Sequence, residues 1–271
     1  MFKKKLTHLI KKKNSLLCVG LDMDMEKIPR YLLREEDPLL IFNREIIEAT
    51  RDVAVAYKTN IAFFEALGSN GWHLLEQTLS LLPQDTLVLA DAKRADIGNS
   101  SRKYAETFFN TYPFDAVTVS PYMGLDSIEP FLQFSEKGIF VLCLTSNRGS
   151  RDFQYLATDG DPLYLTVARQ VVSWDMDYGN CGLVVGATHP EDIGTVREAA
   201  PSLPFLIPGI GSQGGNLALA VQYGTDREGG CALINSSRSI IYASGGKDFA
   251  EAAAAAAQNY TRQINQYRAI T

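Results

Sequence analysis

About eight short apolar segments rich in β-branched residues recur along the chain, and turn or polar residues close each of them. They lie at 16–22, 54–58, 87–91, 115–120, 139–145, 182–186, 204–208 and 232–235. These segments show no clean alternation of apolar and polar positions, which is typical of strands that are buried on both faces of a parallel sheet. The pattern therefore predicts about eight parallel strands.

Helix-length segments separate most of the predicted strands, for example at 39–52, 72–82, 100–110 and 162–174. Eight strand–helix units in roughly 250 residues match the size of a (β/α)8 TIM barrel. An open, doubly wound sheet is the main alternative, but no G-x-G-x-x-G motif follows the first strand. We therefore predict an α/β fold, a (β/α)8 barrel that spans 1–271 as one domain, because no linker or change in composition divides the chain.

Two further segments affect the organisation of the predicted barrel. The alanine-rich stretch 252–257 follows Asp248 and Glu251, which resemble a capping box, so we expect a C-terminal helix through about Arg268. Segment 147–181 is long for a single connection, and we expect it to contain an active-site loop before its helix.

The composition is that of an ordinary globular protein. Of the 271 residues, 46% are hydrophobic and 21% are charged, which excludes disorder for the bulk of the chain. The formal net charge is −5, so there is no overall basic field to attract nucleic acid or an anionic membrane. We therefore expect neither partner, and any bound anion must be held locally.

Compartment and thiol state are predicted from what the sequence lacks. The basic N-terminus precedes no apolar stretch of signal-peptide length, and the longest apolar segments are far shorter than the ~20 residues that a membrane helix needs. We therefore expect a cytoplasmic protein.

The four cysteines, Cys18, Cys143, Cys181 and Cys231, lack metal-ligand spacing, so we expect reduced thiols packed in the core.

Polar side chains close six of the eight predicted strands. They occupy Asp22, 58–60, 91–96, 145–147, 208–215 and 235–238. Functional groups of a parallel barrel gather at the C-terminal ends of its strands. The sequence therefore predicts a polar site at this end of the barrel.

The third of these segments, 91–96, holds the strongest candidates for catalytic residues. In an extended backbone Asp91 and Lys93 would point to the same side, and Lys58 should approach them from the neighbouring strand. Alternating charges of this kind keep one another ionised. The alternative is a surface ion-pair cluster, but Lys58 closes a strongly apolar segment, which a surface cluster does not explain.

The loops after the seventh and eighth strands predict a phosphate site. Gly209, Gly211, Gly214 and Gly215 would let backbone N–H groups approach an anion, and Arg238 could add a bidentate contact. These loops are the usual phosphate site of the barrel, although such glycines also occur in ordinary tight turns. The histidines form no cluster with carboxylates, so no metal is predicted.

The ordered set of motifs resembles the orotidine 5′-phosphate decarboxylase family from about residue 16 to residue 242. The motifs are G-L-D at 20–22, K-T-N at 58–60, D-A-K-R-A-D-I-G at 91–98, P-G-I-G-S-Q-G-G at 208–215 and S-R at 237–238. D-x-K-x-x-D alone marks a wider superfamily, whereas the full set is specific. P-Y-M-G at 121–124 and L-T-S-N at 144–147 resemble the longer form of the bacterial second subgroup.

The resemblance implies a cofactor-free conversion of orotidine 5′-phosphate to UMP and carbon dioxide in pyrimidine synthesis. It implies that Lys93 donates the proton to C6 of the pyrimidine and that Asp91 faces the substrate carboxylate. It also implies a homodimer in which Asp96 completes the partner's active site. The resemblance implies that Lys58 and Asp22 bind the ribose hydroxyls and that Ser146 contacts the pyrimidine. Gln213 and Arg238 would bind the phosphate. The other implied substrate-binding residues are Asn60, Pro208, Gly209 and Gly211.

Three other functions compete with this one. Metal-dependent sugar-phosphate decarboxylases or aldol-type enzymes of the same superfamily resemble one another in a glutamate on the second strand, where this chain has Lys58. A Schiff-base aldolase would need a neutral lysine, but the adjacent carboxylate favours the charged form. A non-catalytic nucleotide-binding barrel would not require the array of lysines and aspartates.

Overall fold

The computed structural model describes residues 1–158, 160–211 and 214–268. Its eight barrel strands are β1 (Leu17–Leu21), β2 (Ala56–Asn60), β3 (Leu87–Arg94), β4 (Ala116–Val119), β5 (Gly138–Leu144), β6 (Cys181–Val185), β7 (Phe205–Ile207) and β8 (Ala232–Ser236). Each strand pairs in parallel with the next, and β8 pairs with β1, which closes the barrel. The predicted (β/α)8 barrel is confirmed, and the open sheet is excluded by this closure.

Helices follow the strands around the outside of the barrel. The longer ones are Pro38–Thr50, Ser69–Leu81, Gly98–Glu106, Leu125–Leu132, Leu163–Tyr178, Pro190–Ala199, Leu217–Gly224 and Phe249–Tyr267. Shorter helical turns occupy Arg30–Arg34, Ile61–Glu65, Thr107–Thr111, Arg148–Asp152 and Arg238–Ile241. The helix predicted at 162–174 extends to Tyr178. It ends there because Gly179 adopts the left-handed backbone conformation, with a φ of 75°.

An N-terminal helix that the sequence analysis missed, Phe2–Lys13, covers the N-terminal end of the barrel. The Phe2 ring packs edge to face on Phe140 at 5.8 Å between centroids, and a Cβ on Gly138 would lie 2.6 Å from the Phe2 ring. Leu6 and Ile10 are buried on the same face. The lysines around them conceal an apolar stripe at helical spacing.

The two other predicted segments have mixed outcomes. Asp248 stands at the N-cap of the terminal helix, but its carboxylate accepts a hydrogen bond from the Ser244 hydroxyl at 2.7 Å and does not cap a helix N–H. The predicted capping box is therefore wrong, because the Asp248 carboxylate bonds to the Ser244 hydroxyl in place of a helix N–H. The connection after β5 does place a loop, with the short hairpin Ala157–Thr158 and Asp161–Pro162, before its helix.

All four thiols are free, as predicted. Cys18, Cys143 and Cys181 are buried, whereas Cys231 is only half-buried, so the predicted core position is wrong for Cys231. Burial raises the pKa of the Cys18 thiol to about 12, so this thiol stays protonated at neutral pH. Across the three described ranges, no helix combines the length and the apolar character needed to cross a membrane.

Candidate active site

A cavity of about 450 Å³ opens at the C-terminal end of the barrel, and residues in or just after every strand line it. Most of the residues predicted for the site lie in this lining: Asp22, Lys58, Asn60, Asp91, Lys93, Ser146, Pro208, Gly209 and Arg238. A volume of this size suits a small-molecule ligand. The parallel strands bring these residues together although more than 200 positions separate the first from the last.

Four charged side chains form a row of alternating positive and negative charges across the floor of the cavity. Lys58 Nζ lies 3.5 Å from Asp22 Oδ1 and 3.2 Å from Asp91 Oδ2. Lys93 Nζ lies 2.5 Å from Asp91 Oδ1. Because Lys58 is buried, with 3% of its surface exposed, the array is not a surface ion-pair cluster.

The array fixes the ionisation of its two central residues, Lys58 and Asp91. Burial lowers the pKa of Lys58, but the carboxylates of Asp22 and Asp91 more than offset this, so that its pKa is raised above the usual value. Burial raises the pKa of Asp91, but the ammonium groups of Lys58 and Lys93 outweigh it, so that this pKa is lowered. At neutral pH Lys58 is therefore an ammonium ion and Asp91 a carboxylate.

Asp91 and Lys93 meet through a different backbone from the extended one that the sequence predicted. The pairing of β3 with β4 changes register between Ala90 and Arg94, and Lys93 has a φ of 48°. A residue other than glycine rarely adopts this left-handed conformation. The lysine and the aspartate are thus brought together by a bulge at the end of the strand.

Several polar atoms in the cavity wall lack a partner within the described chain. They are Asp22 Oδ1, Ser146 Oγ and Asn235 Oδ1, and each is buried. Asp22 Oδ1 keeps only its charge contact with Lys58. Buried polar atoms are usually hydrogen-bonded, so these atoms are available to a polar ligand.

The structure does not bring every predicted residue to the cavity. Asp96 does not line it, and the Asp96 carboxylate accepts a hydrogen bond from the Ile97 N–H at 2.8 Å. Gly211 is also outside the lining, and a Cβ at this position would meet Ser239 Oγ at 2.3 Å, so its small size serves the packing of the loop. Gln213 lies outside the described residues.

Thr118 and Gln154, at or beside the cavity, were absent from the predicted polar segments. Thr118 lines the cavity and forms no part of a charged motif, whereas Asn235, which also lines it, lies in the predicted segment 235–238. Gln154, from the loop after β5, accepts a hydrogen bond from Thr145 N–H at 2.8 Å and donates to Thr145 Oγ1 at 2.9 Å. Gln154 thereby holds the turn that carries Ser146. Only the unusual length of the loop signalled such a role in the sequence.

The closed barrel and its charged cavity define a (β/α)8-barrel enzyme with its site at the C-terminal ends of the strands. The model of the orotidine 5′-phosphate decarboxylase / HUMPS family matches residues 15–256, and the chain belongs to this family.

Individual relatives agree with this assignment. A curated orotidine 5′-phosphate decarboxylase from Dehalococcoides mccartyi is 49% identical over 271 aligned residues, which cover 98% of each chain. Among solved structures, the Leishmania donovani OMP decarboxylase has a TM-score of 0.86 and 38% identity, with 98% of each chain covered. A putative orotidine-monophosphate decarboxylase from Toxoplasma gondii has a TM-score of 0.90 and 37% identity, covering 98% of this chain and 96% of its own. The resemblance seen in the motifs therefore extends over nearly the full chain.

Proposed function

We propose that this protein is an orotidine 5′-phosphate decarboxylase that forms UMP and carbon dioxide without a cofactor, in pyrimidine synthesis. The observation that carries the proposal is the alternating array of Asp22, Lys58, Asp91 and Lys93 at the floor of the cavity. Similarity to decarboxylases over nearly the full chain supports the same substrate. The cavity volume is adequate for a nucleoside monophosphate.

The chemistry of the step requires a fixed positive charge beside C6. When the bond between C6 and the carboxylate breaks, carbon dioxide leaves and the electron pair stays on C6, where the ring delocalises it poorly. The Lys93 ammonium stabilises this charge and then gives its proton to C6, which completes UMP and leaves a neutral amine to be reprotonated by water. Asp91 holds Lys93 in place at 2.5 Å and faces the substrate carboxylate.

The remaining site residues bind the substrate in this proposal. Lys58 and Asp22 hold the ribose hydroxyls, and Ser146, whose buried Oγ lacks a partner in the described chain, contacts the pyrimidine. Asn60 lines the cavity near the ribose, although its Oδ1 also accepts the Ala62 N–H at 3.3 Å. The phosphate is assigned to Gln213, Arg238 and the backbone of Gly209, and Pro208 lines the cavity next to Gly209.

The charge array also favours this function over the competing ones. An ammonium at Lys58, between two carboxylates, would repel Mg²⁺ at the position where metal-dependent relatives are expected to carry a glutamate. A raised pKa at Lys58 opposes the neutral amine that Schiff-base chemistry needs. Phosphate binding alone would not require four alternating charges.

The test is a direct assay of orotidine 5′-phosphate with and without EDTA. We expect the absorbance of the substrate to fall at the same rate in both samples, with UMP and carbon dioxide formed in equal amounts. No turnover of this substrate would contradict the proposed activity. Activity that EDTA abolishes and Mg²⁺ restores would contradict the cofactor-free mechanism.

The proposal includes a homodimer with shared active sites. Asp96 lies outside the cavity of its own chain, beside Ile97, which is 57% exposed. The neighbouring loop after β4 exposes Tyr122 (86%) and Met123 (42%) at the same end of the barrel. Exposed apolar side chains grouped in this way favour a protein interface. A second copy seated there would receive Asp96 from this chain.

Arg238→Ala tests the phosphate assignment. The exposed guanidinium follows β8 at the cavity wall, and loss of its charge-assisted hydrogen bonds should lower kcat/KM by about 10- to 150-fold. Turnover of orotidine, which lacks the phosphate, should change little in the same variant. Equal losses on both substrates would show that Arg238 has a structural role and does not bind phosphate.

A further inference from the structure

Thr118, in β4, connects Asp91 and Lys93, the last two residues of the charge array. Its side chain is buried, with 1% exposed, among apolar neighbours such as Val117 and Val119. Thr118 Oγ1 accepts a hydrogen bond from the Lys93 N–H at 3.0 Å and donates one to Asp91 Oδ1 at 3.0 Å. One hydroxyl thus contacts the backbone of the lysine and the carboxylate of the aspartate.

The bulge at the end of β3 explains why this hydroxyl is needed. Leu89 and Ala90 pair with β4 in regular register, and the pairing resumes only at Arg94. Within this gap the Lys93 N–H bonds to the Thr118 hydroxyl. The hydroxyl therefore supports a backbone conformation, with φ 48°, that a lysine rarely adopts.

The same hydroxyl restricts the rotation of the Asp91 carboxylate. Oδ2 receives Lys58 Nζ at 3.2 Å from β2, and Oδ1 receives Lys93 Nζ at 2.5 Å from β3. Thr118 adds a third donor from β4. Without it, the carboxylate and the Lys93 ammonium could move together away from the cavity centre while their ion pair stayed intact.

We propose that Thr118 is a positioning residue for the proton-donating lysine, a role that rests on the proposed decarboxylase function. It holds the Lys93 backbone and the Asp91 carboxylate in one arrangement, so that the ammonium meets C6 when carbon dioxide leaves. Thr118 need not touch the substrate for this effect. Its contribution should therefore appear in the chemical step and not in binding.

The test compares Thr118→Val, which keeps the volume and removes the hydroxyl, with Thr118→Ser, which keeps the hydroxyl. We expect Thr118→Val to lower kcat about 10- to 100-fold, because a small displacement of a catalytic group has an effect of this size. KM and the Kd for UMP should stay within about threefold, and Thr118→Ser should retain kcat within about threefold of the wild type.

Thr86→Val is a matched control. Thr86 is a buried threonine just before β3, at the opposite end of that strand from Asp91 and Lys93, and its hydroxyl donates to the Pro83 carbonyl at 2.8 Å. Its removal should leave kcat unchanged. If Thr118→Val does not fold, the pair Thr118→Ala and Thr118→Ser, which differ by one hydroxyl, gives the same comparison.

Several results would overturn the inference. The inference would be overturned by a wild-type kcat in Thr118→Val or by a loss confined to KM. It would also be overturned by an equal loss of kcat in Thr118→Ser or in the Thr86→Val control. These outcomes presuppose a wild-type enzyme that converts orotidine 5′-phosphate. An inactive wild type would instead contradict the proposed function itself.

Discussion

Lys93→Ala should abolish nearly all decarboxylation while UMP still binds. The variant loses both the proton for C6 and the positive charge that stabilises the developing carbanion. These two contributions together should lower kcat by at least about 10⁴-fold. UMP carries no carboxylate and needs no proton from the enzyme, so its Kd should change by only a few fold. The measurement is single-turnover decarboxylation alongside UMP titration of the same preparation.

Lys12→Ala is a suitable control for this experiment. Lys12 lies on the N-terminal helix, at the end of the barrel opposite the cavity, and forms an exposed ion pair with Asp85. Its substitution should leave turnover unchanged. The variants should be produced in a host without its own decarboxylase, because a trace of wild-type enzyme would mask a large loss. Substantial turnover by Lys93→Ala under these conditions would remove Lys93 from its proposed role.

The barrel was predictable because burial on both faces leaves a strong local signal in each strand. Strands β1 and β4 to β8 begin and end within one residue of the predicted bounds, and β2 is displaced by two residues. Much of the cavity followed from the same reasoning. Polar side chains at the ends of apolar strands, such as Asp22 and Lys58, have no structural explanation other than a shared site at one end of the barrel.

The residues that the sequence analysis missed act through contacts that local patterns do not show. Thr118 sits inside an apolar strand, and its two bonds are to residues more than 20 positions away. At the bulge the Lys93 N–H bonds to that distant hydroxyl, which no local pattern shows, so an extended strand was the natural local prediction. The N-terminal helix was missed for a different reason, because the lysines around Phe2 and Leu6 conceal the apolar stripe that packs against the barrel.

Mixing two inactive variants should restore activity if Asp96 completes the site of a partner subunit. Homodimers of Lys93→Ala and of Asp96→Asn each carry the same defect in both sites, so both should be severely impaired. In a mixed dimer, one site collects both substitutions and the other collects neither. Random pairing makes half of the dimers mixed, with one intact site each, so activity should recover to about a quarter of the wild-type value.

Lys93→Ala mixed with Asp91→Asn provides the matched control. Asp91 and Lys93 of one chain lie 2.5 Å apart in a single cavity, so every site of this mixed dimer carries one substitution. No recovery is expected from that pair, whereas the pair with Asp96→Asn should recover. The contrast separates a shared site from any general stabilisation of one variant by the other.

The experiment depends on genuine exchange of subunits. The two variants should carry different affinity tags, be dissociated and reassociated together, and be assayed well above the Kd of the dimer. Tandem purification through both tags isolates the mixed dimers, which should then show about half of the wild-type activity, since one of their two sites is intact. Mixed dimers that remain inactive after this purification would place Asp96 within its own chain's site and contradict the shared arrangement.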